Sequence, residues 1–130
     1  MKTYLVDTHV LVWFLTASKQ LSKKVENILR KQGIRIIIPT IVLAELKYLH
    51  YKEKIPISFE KIKTAIDEDE RCIIFPLNED VVNALPTQLD IHDGIICATA
   101  IVFSKTLKEE IMVLTCDREM RDSGLIKVIW

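Results

Sequence analysis

Thr3-Tyr4-Leu5-Val6-Asp7 opens the chain with a short β-branched and apolar run that stops on an acid. So short a run, uncharged and bounded by polar residues, reads as a buried strand. Arg35-Ile36-Ile37-Ile38, closed by Pro39, and Cys72-Ile73-Ile74-Phe75, closed by Pro76, repeat the pattern. Ile111 to Leu114 and Leu125 to Ile129 complete a set of five. Helical signals fill the intervals. His9 to Thr16 is apolar at nearly every position. Ser22 caps a segment carrying Val25, Ile28 and Leu29, which Gly33 ends. Thr40 caps a helix bearing Ile41, Val42, Ala44, Glu45, Leu46 and Leu49, and a lysine-rich link follows to Pro56. Ser58 opens an amphipathic helix through Ile62, Ala65 and Ile66, and Asn78 caps a short one through Val81, Val82 and Leu85. Asp90 precedes a long apolar helix over about 92–106. Strands alternating with helices predict an α/β fold, a parallel sheet of about five strands with helices on both faces. Right-handed crossovers leave few topologies for it.

Composition narrows the class. With 130 residues and no linker or repeat, the chain is expected to form one domain over 1–130. Its 49% hydrophobic content excludes a disordered chain. Cys72, Cys97 and Cys116 are odd in number, far apart and outside any CxxC, so a disulfide scaffold is excluded and reduced thiols in the cytoplasm are expected. No uncharged run approaches the ~20 residues of a membrane span, and Asp7 interrupts the N-terminal apolar run before it can serve as a signal peptide. Net charge is zero, yet residues 1–65 hold 12 Lys and Arg against 5 Asp and Glu, while residues 66–130 hold 6 against 13. That asymmetry allows a basic face beside an acidic site, and equally two solvated faces that partly pair with each other.

The acids carry the chemistry. In open parallel sheets, ligands bind beyond the carboxyl ends of the strands. Asp7 and Asp117 follow the first and fourth strands there. Glu45 shares a helix face with Ile41 and Leu49, where a charge is costly unless it is paired or binds a cation. Most helical Glu are simply solvated, and Val42 and Leu46 blur the stripe. Asp93 sits in the first turn of a helix whose next eleven residues carry no charge; the helix dipole alone would also favour it. Asp90 reads as that helix's N-cap, an outer neighbour of the site. Asp7, Glu45, Asp93 and Asp117 brought to one rim would repel, by about 4 kcal/mol per pair at 4 Å and an effective dielectric of 20. Protons or metal ions must offset this. Oxygen-only donors select Mg²⁺ or Mn²⁺, and no zinc-type His/Cys pattern is present. Such a site suits phosphoryl chemistry through a metal-activated water. There is no GxSxG, P-loop or GxGxxG.

These residues resemble the PIN domain family, and within it the VapC-type toxins of toxin–antitoxin pairs. The matching stretches are Tyr4-Leu5-Val6-Asp7-Thr8-His9, Pro39-Thr40 to Ala44-Glu45-Leu46, Asp90-Ile91-His92-Asp93-Gly94-Ile95-Ile96-Cys97-Ala98-Thr99-Ala100, and Val113-Leu114-Thr115-Cys116-Asp117 with the closing Val128-Ile129-Trp130. Each is weak alone; the ordered set spans the whole chain. The resemblance implies a three-layer α/β/α fold and a metal-dependent endoribonuclease with Asp7, Glu45, Asp93 and Asp117 as its acidic quartet. It also implies RNA as substrate, a homodimer and a small antitoxin protein across the active-site groove. Thr8 and Thr115 would orient carboxylates, or else make local caps. His9 and His92 would touch phosphate, or else cap and pack. Relatives commonly carry Asn or Ser at His9 and a basic residue at Gly94; the loss of that positive charge bears on the grip of RNA more than on the metal site. Lys47, Lys52, Lys54, Arg118 and Arg121 are candidates for phosphate contact, against the default of solvated side chains. Trp13 and Phe14 would stack a base or, more simply, pack in a core or dimer interface.

Two rival functions stand beside this one. A Rossmann-like phosphatase of the haloacid-dehalogenase type would need a second Asp two residues after Asp7, where His9 stands. A catalytically silent PIN-like module would bind RNA or protein without turnover, and the retained quartet argues against it.

Overall fold

A computed structural model describes residues 1–130. Five strands, β1 (Thr3–Val6), β2 (Arg35–Pro39), β3 (Cys72–Phe75), β4 (Ile111–Leu114) and β5 (Lys127–Ile129), form one sheet in the order β3-β2-β1-β4-β5, every pair parallel. Seven helices connect them: α1 (Thr8–Leu15), α2 (Lys23–Leu29), α3 (Thr40–Tyr51), α4 (Phe59–Glu68), α5 (Glu79–Asn83), α6 (Ile91–Leu107) and α7 (Arg118–Asp122). The chain steps outward from β1 to β2 to β3, then returns past β1 to β4 and β5. With right-handed crossovers this reversal puts α1–α4 on one face and α5–α7 on the other, the expected three layers.

The central strands read as unbroken apolar runs because both their faces are covered. Every residue of β1 and β4 is buried, with Leu5, Val6, Val113 and Leu114 fully so. Edge strand β3 is only half covered. Helix α6 is buried from Gly94 to Ala100, which accounts for its uncharged sequence. No helix is long and apolar enough to cross a membrane.

Local chemistry alters several expected boundaries. Arg30, not Gly33, ends α2; Gly33 (φ +72°) makes the turn into β2, where a side chain would be strained. Pro39 holds the N-cap position of α3 without a side-chain cap, and the Thr40 hydroxyl accepts instead from the Leu77 N–H at 3.1 Å, tying this junction to the segment after β3. Helix α5 stops before Leu85, β5 begins only at Lys127, and α7 was not expected at all.

The end of the sheet where the strands begin is cross-braced. The Thr3 hydroxyl donates to Glu109 at 2.7 Å, and Arg35 lies 3.8 Å from the same carboxylate. Arg71 is chelated by Asp69 (3.0 and 2.8 Å) and donates to the Leu29 and Lys31 carbonyls at the end of α2 (2.7 and 2.6 Å). Arg71→Ala would strand those carbonyls and the Asp69 charge, with an expected loss of about 1–3 kcal/mol in urea unfolding. Arg71→Lys should recover little of it, lacking the planar fork.

Candidate active site

The order of strands reverses between β1 and β4, and the crevice at such a switch point is where open parallel sheets bind ligands. Asp7 leaves β1 there as the N-cap of α1, its Oδ1 accepting from the Thr8 N–H at 2.7 Å. Its Oδ2 accepts from the Thr115 hydroxyl at 2.6 Å. Thr115 is fully buried just past β4, and its Oγ1 also accepts from the Asp117 N–H at 3.1 Å. One hydroxyl thus fixes Asp7 and the backbone of Asp117 together. Asp117 caps α7, accepting from the Met120 N–H at 3.1 Å, which is the local signal for the helix that was not expected.

Glu45 reaches this edge from α3, flanked by the fully buried Val42 and Leu46. Its Oε1 accepts from the Thr8 hydroxyl at 3.1 Å, a link across 37 residues of sequence. Its Oε2 lies 3.7 Å from His92 Nδ1. Burial pushes the Glu45 carboxyl above its ordinary pKa, with the Asp7 charge adding to the rise and the Thr8 hydroxyl, His92 and His9 opposing it. Asp93, in the first turn of α6, is pushed up to about 7, by burial first, then by the charge and shared proton of Asp117, then by Asp7 and Asp90. Asp90 itself is the exposed N-cap of α6, accepting from the Ile91 N–H at 2.9 Å. Each of the four acids therefore meets at least one of the others, directly or through a threonine. The Thr8 and Thr115 hydroxyls serve carboxylates distant in sequence.

Other candidates are placed differently. His9 is exposed and leans on Trp13 (ring centroids 5.8 Å apart), which in turn meets Trp130 at 5.8 Å. Phe14 packs at the core margin, with Arg30 5.9 Å from its ring. Lys47 lies 5.7 Å from the Phe59 ring, and Lys52 lies 5.6 and 5.9 Å from the rings of Tyr48 and Tyr51. Arg121 pairs with the adjacent Asp122 at 3.3 Å. Gly94 packs closely: a Cβ there would stand 3.2 Å from Leu85 Cδ1 and 3.4 Å from the Pro86 carbonyl, so a larger residue would need the Leu85 side chain to give by a few tenths of an ångström. Tyr48 was not singled out from the sequence. The spacing of Ile41, Ala44, Glu45 and Tyr48 along one side of α3 was its available signal.

The donor set suits a hard divalent cation in kind, being oxygen only, and in charge, since burial first and the neighbouring acids Asp117, Asp7 and Asp90 after it disfavour the ionised form of Asp93. With the side chains as placed, no three acidic, imidazole or thiol groups are near enough to chelate an ion. Chelation therefore requires side-chain rotation to draw the acids together.

Comparison with curated proteins gives no match. Among solved structures, the chain is similar to VapBC2 from Rickettsia felis bound to a DNA fragment from their promoter (20% identity, TM-score 0.69, 98% of each chain covered). It is likewise similar to FitAcB from Neisseria gonorrhoeae (18% identity, TM-score 0.67, 98% of this chain and 96% of that one). The T. brucei RRP44 PIN domain shares the fold at 10% identity (TM-score 0.65, 98% of this chain and 76% of that one). The sequence pattern of the PIN domain matches residues 4–124. Since that match runs through four of the five strands and all seven helices, the chain belongs to the PIN domain family.

Proposed function

We propose that this chain is a divalent-metal-dependent endoribonuclease and the toxin of a VapBC-type toxin–antitoxin pair. The observation that supports the reading is the pair of threonines at one sheet edge, Thr8 tying Asp7 to Glu45 and Thr115 tying Asp7 to the Asp117 backbone, with Asp93 coupled electrostatically to Asp117. Membership of the PIN domain family supports nuclease chemistry, and the VapBC complexes among its structural neighbours support an antitoxin partner.

Asp7, Glu45, Asp93 and Asp117 would hold Mg²⁺ or Mn²⁺. When bound, such an ion supplies Lewis acidity, lowering the pKa of water and neutralising charge on the phosphate. Thr115 holds Asp7 Oδ2 and Thr8 holds Glu45 Oε1, and these two hydroxyls would guide both acids as they close around an ion. Glu45 Oε2, which Thr8 leaves free, would accept a hydrogen bond from the attacking water and orient it. RNA is the substrate, a homodimer the assembly and the cytoplasm the compartment in this reading.

The test is direct. Purified protein should cut single-stranded RNA into shorter oligonucleotides in Mg²⁺ or Mn²⁺ and lose all activity in excess EDTA. RNA retention without products at any metal concentration would instead indicate a silent binding module; phosphate release from small monoesters would indicate a phosphatase. Expression alone should arrest growth, with rescue by the co-expressed antitoxin. Thr115→Val removes the hydroxyl that serves both Asp7 and Asp117, and cleavage should fall about 10–100-fold with the metal requirement kept.

A further inference from the structure

Beside the acids lies a groove of about 460 Å³ lined by Ile41, Ala44, Glu45, Tyr48, Leu49 and His92. Its walls are mostly apolar, and its volume falls within the ~300–1,000 Å³ of small-ligand sites. Glu45 belongs both to this groove and to the acidic edge, so an occupant would be contiguous with the reacting phosphate. Tyr48 is 60% exposed, and the Lys52 ammonium, 5.6 Å from its ring centroid, can cover one face of the ring at most. The sequence around it, Lys47-Tyr48-Leu49-His50-Tyr51-Lys52-Glu53-Lys54, interleaves aromatic rings with cations. The Lys52 ammonium lies over the rings of both Tyr48 and Tyr51.

We infer that this groove is a nucleobase subsite, in which a base neighbouring the scissile phosphate stacks on Tyr48 beside His92 while Lys52 meets the adjoining phosphate. The inference rests on the nuclease reading and adds to it the part of the RNA that is gripped. A base supplies what the groove asks for: a flat apolar face for Tyr48 and Leu49, and an edge with hydrogen-bonding groups for His92. The backbone joining two bases supplies the negative charge that Lys52 lacks on this surface. A phosphate pairs that ammonium, whereas an apolar protein face laid over it would only desolvate it. Stacking on an aromatic ring tolerates any base, so the subsite sets position more than sequence.

The experiment compares wild type, Tyr48→Ala and Tyr48→Phe on a 12-nucleotide single-stranded RNA in Mn²⁺. The comparison RNA is the same oligomer made abasic over the central nucleotides. Tyr48→Ala should raise KM about tenfold on the intact RNA with kcat within about twofold, Tyr48→Phe should restore wild-type behaviour, and the abasic RNA should erase the difference. Mn²⁺ affinity, read by calorimetry, should be the same in all three proteins. Unchanged KM in an active Tyr48→Ala protein overturns the subsite and leaves the nuclease intact. Conversion of a wild-type dimer to a monomer by Tyr48→Ala, in analytical ultracentrifugation, also overturns it, the face then being a protein interface. Wild type that binds the RNA with the same Tyr48 dependence but cuts nothing keeps the subsite and overturns the nuclease reading. Wild type that neither binds nor cuts overturns both.

Discussion

Asp7→Asn should lower RNA cleavage about a thousandfold or more while leaving the fold intact. The two halves of that expectation have separate causes. Asn is as good an N-cap as Asp, so the amide oxygen can still accept from the Thr8 N–H and hold the start of α1. The volume is unchanged, and the packing of β1 is not touched. What disappears is the negative charge, together with the acceptor that Thr115 addresses at 2.6 Å. A divalent ion at this edge would lose a charged donor, and the buried Thr115 hydroxyl would face an amide N–H₂ instead of a carboxylate. Circular dichroism and a melting curve close to wild type, alongside single-turnover cleavage near background, are the expected pair of results. Wild-type cleavage by the variant would remove Asp7 from the chemistry.

Asp93→Asn should likewise abolish cleavage, yet it should make the metal-free protein more stable at pH 8. An aspartate ordinarily titrates near 3.8, and in the folded chain Asp93 titrates at about 7. Between those values the folded state binds more protons than the unfolded one, so stability falls as pH rises through the interval. Below pH 4 the carboxyl is neutral in both states and the penalty is absent; above pH 7 it is fully present. Asn carries no such penalty. Because water reaches much of this carboxyl, the gain at pH 8 is about 1 kcal/mol, well below an unscreened conversion of the shift. Denaturant unfolding at pH 4 and pH 8 checks it: the variant should exceed wild type only at the higher pH. Mn²⁺ should then reverse the order by stabilising wild type and not the variant. A stability difference independent of pH would mean that Asp93 is not the strained acid.

The layered fold was legible because the strands of a parallel sheet are buried on both faces. Thr3 to Val6 and Ile111 to Leu114 could hardly be read otherwise, and the long uncharged stretch of α6 demanded burial. Short elements were harder. Helix α7 offers one buried apolar residue, Met120, and five residues cannot display a period. Thr40 looked like a cap because its own neighbourhood suggested one, and its real partner, the Leu77 N–H, comes from 37 residues away. The site divides in the same way. Asp7 and Asp117 follow from the rule that strand ends face the ligand, whereas Glu45 and Asp93 needed the path of α3 and α6 to bring them near. The hydroxyl bridges of Thr8 and Thr115, and the close approach of Leu85 and Pro86 to Gly94, are tertiary facts with no local signature.

All five strands point one way, and this separates two kinds of evolutionary freedom. Every passage from strand to helix opens on the acidic side, while the Arg71 and Glu109 braces occupy the other. Changes that harden the scaffold can accumulate at the braces and combine additively with changes in the crevice, because the two sets share no neighbours. A laboratory lineage selected for heat resistance should collect its substitutions there and keep its turnover.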